Sequence, residues 1–276
     1  MKNKKILIII IVVLVILAII GGILGYIKIW KPYNEAVKNY DAVVAVINEK
    51  NKELDENIEK VEQLIDSNEK VIDESVIEKA KDVTKRAGAD KLVVNEMPKK
   101  TDEIIKRTEE LSTPPDYTDI LKELNDTYIA YDTSIKQYKQ LTNPSEEFVL
   151  QRLKTVDEIV DARAVTEDND PNGNLNKEGG YTSTVYFESK NVDQNEAYGT
   201  DLIDKGTDAG GSIEVYANEE DAKKRETYLA AFDGGIFASG SHKVVGTVLI
   251  RTSNLLGASQ QKALEEKIIT ALSNLE

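Results

Sequence analysis

The sequence contains no cysteine in 276 residues. This absence excludes disulfide bonds, thiolate metal sites, a cysteine nucleophile and a lipid-modified N-terminal cysteine. His242 is the only histidine, so no histidine ligand set for zinc is available. The sequence also lacks the Gly-x-Ser-x-Gly elbow of serine hydrolases and the glycine-rich loops that bind phosphate. We therefore predict that the protein is not an enzyme, although serine-lysine or paired-carboxylate chemistry uses abundant residue types and stays an open alternative.

Acidic side chains outnumber basic ones over most of the chain. Residues 32–276 contain 49 acidic and 30 basic side chains, which gives this part a formal net charge of −19. Such a surface repels polyanions and attracts cations. Nucleic acid is therefore not an expected partner.

The sequence has one long hydrophobic run, residues 6–27, which contains no charge and no proline. As a helix rising about 1.5 Å per residue, the run would reach about 33 Å, enough to cross a hydrocarbon core of about 30 Å. A cleavable signal peptide is the alternative, but its apolar region is usually about 7 to 15 residues long and ends at a small-residue cleavage site. Residues 21–25 match such a site poorly. We therefore predict a transmembrane signal-anchor helix over residues 6–29.

Lysines flank this run on both sides, with more of them before it than after it. The flanking residues are Lys2, Lys4, Lys5, Lys28 and Lys31. The positive-inside rule then makes residues 1–5 a cytoplasmic tail and places the chain after Lys31 outside. Tyr26 and Trp30 lie at the outer end, where aromatic rings prefer the headgroup level. The expected location is the plasma membrane, with a single span and a cytoplasmic N-terminus.

Residues 30–143 show two heptad-like apolar patterns typical of packed helices. The first consists of Val37, Tyr40, Val44, Ile47, Asn51, Leu54, Ile58, Val61 and Ile65. The second consists of Tyr117, Leu121, Leu124, Tyr128, Tyr131, Ile135 and Tyr138. We predict an all-α antiparallel helical bundle or stalk, with helices also at residues 71–87 and 101–111. The alternative is a dimeric coiled coil that makes the stalk a homo-oligomer. In either arrangement, Asn51 in the first pattern is expected to fix the register of the helix pairing at some cost in stability or to be tolerated beside a hydrated gap.

Asn143, Pro144 and Ser145 interrupt the helical pattern and begin a region of different composition. Residues 144–276 predict a small two-layer α+β domain. Its expected strands are residues 181–187, 212–217 and 243–252, the last of them central because it is apolar on both faces. Its expected helices are residues 146–165 (one or two helices), 219–231 with Asn218 as the N-cap, and 260–275. The helix between the last two strands predicts a right-handed crossover.

An acidic loop at residues 166–180 is the one candidate ligand site. Its candidate calcium ligands are Asp168, Asp170, Asn172 and Glu178. The first three occupy positions one, three and five of a calcium loop, and Gly173 occupies position six. Position twelve, which needs a bidentate carboxylate, is Gly179, so the EF-hand spacing fails. The favoured interpretation is a structural type I turn at residues 170–173, with weak calcium binding as the alternative.

Residues 150–276 resemble an uncharacterised extracytoplasmic domain of membrane-anchored or lipid-anchored surface proteins of Gram-positive bacteria. The motifs that carry the resemblance are Thr166-Glu167, the turn at residues 170–173, Gly180-Tyr181-Thr182-Ser183 with Val185 and Phe187, and the strands at residues 211–216 and 245–249. The resemblance implies a location outside the cell and no particular chemistry.

The sequence thus predicts a membrane-anchored, extracytoplasmic binding or interaction protein of the cell envelope. A protein partner or a cell-wall component is the expected kind of ligand. The first alternative is a calcium-dependent surface or sensor module, and the second is an envelope hydrolase.

Overall fold

A computed structural model describes residues 2–234 and 240–275, with side chains described from residue 11 onward. Met1 of the predicted cytoplasmic tail, residues 235–239 and Glu276 lie outside the described residues. The described chain divides into two compact units. The first consists of Met1–Asp66 and Glu78–Tyr128, and the second of Ser67–Ile77 and Ile129–Glu276. The second unit thus begins before the predicted domain boundary at residues 143 and 144, which stays a prediction.

The first unit begins with a long helical run. Helix α1 (Lys2–Gly25) continues through a π-helical turn (Tyr26–Trp30) into helix α2 (Lys31–Asp66). Within the described residues this run contains the one helix that is long and apolar enough to cross a membrane. Its apolar side chains are open, as Leu14 shows with 60% of its surface exposed. The predicted N-terminal apolar helix is confirmed, and by length and composition alone it is a weak indication of a transmembrane or signal-anchor segment.

Helix α2 buries one face against other parts of the same chain. The buried residues of α2 are Ala36, Tyr40, Ile47, Asn51, Leu54 and Val61. Ile104 of helix α4 (Thr101–Glu110) and Leu111 pack with the first part of this face. Burial of apolar surface in this way is the main source of helix stability in proteins. This face of α2 is therefore occupied within one chain.

Two further helices contribute to both units. Helix α3 (Ser75–Asp90) begins four residues later than predicted and runs through Gly88, where the sequence predicted its end. Gly88 is tolerated because a helix interior accepts glycine at a cost of about 1 kcal/mol relative to alanine. Helix α5 (Thr118–Gln140) follows Asp116, whose Oδ1 accepts hydrogen bonds from the backbone amide and the hydroxyl of Thr118.

A five-stranded antiparallel sheet with the order β1-β2-β3-β5-β4 forms the second unit's centre. The strands are β1 (Ile159–Ala164), β2 (Tyr181–Ser189), β3 (Gly210–Tyr216), β4 (His242–Val245) and β5 (Val248–Thr252). The predicted helix over residues 146–165 is wrong in its second half, because residues 159–164 pair with β2 at the sheet edge. Helix α6 (Glu146–Leu153) occupies only the first half. A six-residue segment is too short to form a stable helix by propensity, so pairing with β2 decides its conformation.

The predicted central strand at residues 243–252 is also wrong, because it folds as the β4–β5 hairpin and β3 takes the central position. Gly246 and Thr247 form the turn, and Gly246 has a φ of +61°. A positive φ at the first turn position is what a two-residue type II′ hairpin requires, and glycine supplies it without strain. A Cβ at Gly246 would lie 2.4 Å from the carbonyl oxygen of Leu141.

Helices cover both faces of the sheet. Helices α6 and α9 (Ala258–Ser273) pack on one face in a core that includes Phe187, Ile213 and Ile268. Helix α8 (Glu219–Ala230) packs on the other face, where Leu229 and Ala222 contact Tyr216 and Leu249. The short helix α7 (Leu202–Lys205) and a 3-10 turn (Gly206–Ala209) lie on that face too, with Leu202 and Ala209 against Tyr186. The predicted two layers are therefore three, since β3 is buried along its whole length.

Candidate functional site

The acidic loop at residues 166–180 is organised around the carboxylate of Asp170. Its Oδ1 accepts hydrogen bonds from the amide of Asn172 at 3.0 Å and from the hydroxyl of Tyr181 at 2.5 Å. Its Oδ2 accepts from the amides of Asn174 at 2.7 Å and Leu175 at 2.9 Å. Burial by itself raises the pKa of Asp170, but these hydrogen bonds outweigh it and lower the pKa below its ordinary value. Asp170 thus acts as an internal acceptor that holds the loop closed.

The predicted turn at residues 170–173 is present. The amide of Gly173 donates to the carbonyl oxygen of Asp170 at 3.1 Å, which is the hydrogen bond that closes a β-turn. Gly173 has a φ of +60°, a conformation that glycine adopts without steric cost. The loop conformation therefore follows from local turn chemistry.

The four candidate calcium ligands differ in their exposure and in their hydrogen-bond partners. Asp170 and Asn172 share the turn, and the side-chain amide of Asn172 donates to the hydroxyl of Tyr186 at 3.0 Å. Asp168 and Glu178 are exposed. Within residues 2–234 and 240–275 there is no group of three or more histidine, cysteine, aspartate or glutamate side chains placed to hold a metal ion. The calcium assignment stays a prediction. Both carboxylate oxygens of Asp170 already accept hydrogen bonds from the protein.

A buried ion-pair cluster, which the sequence patterns did not predict, lies on the α8 face of the sheet. Glu214 of β3 is 1% exposed. Its Oε1 accepts from Nη1 of Arg251 on β5 at 2.9 Å, and its Oε2 accepts from Nε of Arg225 on α8 at 3.2 Å. The hydroxyl of Tyr216 donates to the same Oε2 at 2.7 Å. Because an unpaired buried carboxylate is very costly, these three donors are what makes the position of Glu214 possible.

The tyrosines around this cluster are held in the protonated form. Burial, and next the charge of Glu214, raise the pKa of Tyr186 to about 12. The same two causes raise the pKa of Tyr216 still further. A phenol that keeps its proton is a dependable hydrogen-bond donor. The ring of Tyr216 also contacts the ring of Tyr181 edge to face, with centroids 6.2 Å apart, which links the cluster to the acidic loop.

His242 begins β4 and pairs with a carboxylate, not with a serine. Its Nε2 lies 3.2 Å from both carboxylate oxygens of Asp233. The neighbouring Ser241 hydroxyl instead hydrogen-bonds with Oγ1 of Thr252 at 2.7 Å and Oε2 of Glu265 at 3.0 Å. Ser239 lies outside the described residues. Among the described residues, His242 is therefore not paired with a serine nucleophile.

Glu219 at the first position of α8 ties three segments of the second unit together. It accepts from Lys70 at 2.8 Å, from Lys223 at 3.0 Å and from the hydroxyl of Tyr138. Asn218 caps the same helix, since its side chain accepts from the amide of Asp221, which confirms the predicted N-cap. Burial by itself raises the pKa of Glu219, but the hydrogen bonds from Lys70, Tyr138 and Lys223 lower it to about 2. Glu219 is thus a structural carboxylate that stays ionised.

A signal for the buried cluster was present in the sequence. Glu214 and Arg251 are single charges of opposite sign inside apolar strand segments, Gly-Ser-Ile-Glu-Val-Tyr and Val-Leu-Ile-Arg-Thr. Two such charges on neighbouring strands can neutralise each other across the ladder. The third member, Arg225, lies on a polar helix and carries no comparable signal.

No family model, curated protein or solved structure matches this chain. The resemblance of residues 150–276 to an extracytoplasmic surface domain therefore stays a prediction.

Proposed function

We propose that this chain is a single-pass, membrane-anchored protein of the cell envelope whose folded units lie outside the cytoplasm and bind a partner without chemical turnover. The observation that carries the proposal is the uninterrupted helical path from α1 through the π-helical turn into α2. This path joins an apolar segment directly to a folded unit. The expected partner is a protein or a cell-wall component.

The surface of α1 supports the anchor. Ile16 and Leu17 are 49% and 58% exposed, and no described element packs on this stretch. Apolar side chains left open in this way on a helix of this length are stable in lipid and costly in water. The rings of Tyr26 and Trp30 contact each other at 5.5 Å between centroids, at the end where an interfacial aromatic pair is expected.

The binding role is supported by the internal hydrogen bonds of the carboxylates in the second unit. Glu214, Glu219 and Asp170 are all engaged by donors of the same unit. These contacts organise the fold, which suits a rigid module that presents its surface to a partner. A net charge of −19 over residues 32–276 favours a partner with cationic groups over a polyanion.

Cysteine labelling tests the location and the orientation, since the natural chain contains no cysteine. Tyr198 is 92% exposed, so Tyr198→Cys provides a reactive position in the second unit. In intact wall-stripped cells a membrane-impermeant maleimide should label Tyr198→Cys, and should label Asn3→Cys only after lysis. The reverse pattern would overturn the orientation. A mature protein that begins after residue 27 would show a cleaved signal peptide in place of an anchor.

Crosslinking in intact cells tests the binding role. The full chain should give a discrete, reproducible adduct, and a control chain that ends after Asp66 should not. Absence of any adduct with the full chain would contradict the proposal.

A further inference from the structure

Two stretches of the first unit contain more basic than acidic side chains, although the protein is acidic overall. Residues 28–38 and 96–107 together contain seven basic and four acidic side chains, whereas residues 32–276 as a whole have a formal net charge of −19. These two stretches are 57 residues apart in sequence. The structure decides whether they lie at the same level along α2.

Hydrogen bonds to α2 define the direction of the extended segment between α3 and α4. The side-chain amide of Asn51 donates to the carbonyl oxygen of Leu92 at 2.9 Å. The hydroxyl of Tyr40 donates to the carbonyl oxygen of Asn95 at 3.1 Å. Higher residue numbers in the segment therefore meet lower residue numbers in α2. The segment runs antiparallel to α2, toward the end that joins α1.

The same direction carries the following loop, residues 97–100, to the start of α2. Three residues of extended chain from Asn95 to Pro98 span about 10 Å, which corresponds to about 7 residues of helix, and Lys99 and Lys100 then form a bend before α4. Counting back from Tyr40, this reaches the level of Tyr33. Helix α4 agrees with this placement, because Ile104 in its first turn packs with Ala36 and Tyr40.

The 97–100 loop has the composition of an interfacial contact. Met97 is 36% exposed, Lys99 is exposed, and Pro98 between them is half-buried. Lys100 pairs with Glu103 at 2.8 Å, but the Lys100 side chain is 74% exposed. An exposed pair of this kind is weak and leaves the lysine able to contact another anion.

We propose that the 97–100 loop is a second membrane contact, in which Lys99 and Lys100 bind the phosphate groups of anionic phospholipids beside the span. Lys31 and Lys28 precede that level by about 3 and 8 Å along the helical run and add positive charge on the side of the span. A phospholipid surface fits this loop for two reasons. The span proposed for α1 places a bilayer surface beside the loop, and the positive charges of the lysines complement the negative charges of the headgroups. This inference rests on the proposed membrane anchoring. Two points of attachment would hold α2 at a defined angle to the bilayer.

Spin labels at single cysteines in the full chain, reconstituted in nanodiscs, test this contact. The labelled variants are Met97→Cys at the loop, Leu17→Cys in α1 and Glu62→Cys near the far end of α2. In nanodiscs with about one third phosphatidylglycerol, accessibility of the Met97→Cys label to an aqueous nickel chelate should fall several-fold relative to purely zwitterionic nanodiscs. The Glu62→Cys label should be equally accessible in both.

The matched charge variant is Lys99→Gln with Lys100→Gln in the Met97→Cys background. It should abolish the difference between the two lipids, as should 1 M salt, which shortens the Debye length to about 3 Å. Both lysines are exposed, so the fold should be kept, and circular dichroism checks this.

The outcomes separate this inference from the anchor itself. A Leu17→Cys label buried in lipid with a Met97→Cys label equally accessible in both lipids would overturn the second contact and leave the anchor intact. A Leu17→Cys label open to the aqueous chelate would overturn both. Protection of the loop that persists in the double glutamine variant would show that charge is not its cause and would also overturn the inference.

Discussion

The hydroxyl of Tyr117 donates a hydrogen bond of 2.8 Å to Oδ1 of Asn51, inside the first unit. Both residues also bind the backbone of Leu92. The side-chain amide of Asn51 donates to the carbonyl oxygen of Leu92, and the backbone amide of Leu92 donates to the hydroxyl of Tyr117 at 2.8 Å. These three residues form a closed set of hydrogen bonds around a position that is 9% exposed. Asn51 is therefore a polar residue in an apolar face that fixes the path of the segment after α3.

Removing one hydroxyl should loosen this set. Tyr117→Phe leaves Oδ1 of Asn51 and the amide of Leu92 without their partner, and we expect a loss of about 1 to 3 kcal/mol in the free energy of unfolding. Tyr128→Phe, at a half-buried position of helix α5, is the matched control and should cost less. Urea unfolding followed by circular dichroism measures both. Equal midpoints for the two variants would contradict the role given to Tyr117.

The Glu214 cluster predicts strong non-additivity. Glu214→Leu leaves the buried Arg251 guanidinium without its carboxylate and should cost about 3 to 5 kcal/mol. Glu214→Leu combined with Arg251→Met removes both charges and should recover part of that loss. Glu220→Gln, an exposed position on α8, should change stability by less than about 0.5 kcal/mol. A double variant whose loss equals the sum of the single losses would show that the pair is not coupled.

Glu219 predicts a loss of stability in acid. Its folded-state pKa of about 2 lies below the ordinary value of 4.5, so its contribution is fully present above about pH 4.5 and is lost as the pH falls toward 2. Glu219→Gln should therefore be less stable than the natural chain at pH 7, by about 1 to 2 kcal/mol after solvent screening. The difference should shrink between pH 4.5 and 2 when unfolding is measured across that range. If the difference in stability between the two chains stayed constant over this pH range, the effect would come from packing and not from the ionisation of Glu219.

The acidic loop predicts that Asp170 acts through hydrogen bonds and not through a metal. Asp170→Ala should destabilise the second unit by about 2 to 3 kcal/mol in excess chelator, because four donors lose their acceptor. Asp168→Ala, at an exposed position, is the control and should be near neutral. The natural chain should melt at the same temperature with calcium and with chelator. Micromolar calcium binding in a calorimetric titration, lost on Asp168→Asn with Asp170→Asn, would favour the calcium-dependent module instead.

Substitution by alanine should have opposite effects at Gly246, in the β4–β5 turn, and at Gly88, in helix α3. Gly246→Ala places a Cβ 2.4 Å from the Leu141 carbonyl oxygen at a φ of +61°, and should cost about 1 to 3 kcal/mol. Gly88→Ala in α3 meets no atom within 4 Å and should stabilise by about 0.5 to 1 kcal/mol. Thermal melts of the two variants compare them directly. A stabilised Gly246→Ala variant would contradict the hairpin turn.

Features that depend on neighbours in sequence were predictable from residue order alone. The apolar run at residues 6–27, the Asn218 cap of α8 and the turn at residues 170–173 each depend on side chains within a few positions of one another. Helical rise, capping and turn chemistry act over that distance, so the local pattern was sufficient.

Tertiary structure decided the features whose partners lie far along the chain. Residues 159–164 become a strand because β2 offers a ladder, and residues 243–252 fold into a hairpin because β5 pairs with β3. Arg251 reaches Glu214 across 37 positions, and Tyr117 reaches Asn51 across 66. A single sequence shows that a charge or an amide lies in an apolar pattern, but not which distant donor will satisfy it. That choice is made when the elements pack, because a buried polar group is stable only beside the partner that the fold brings to it.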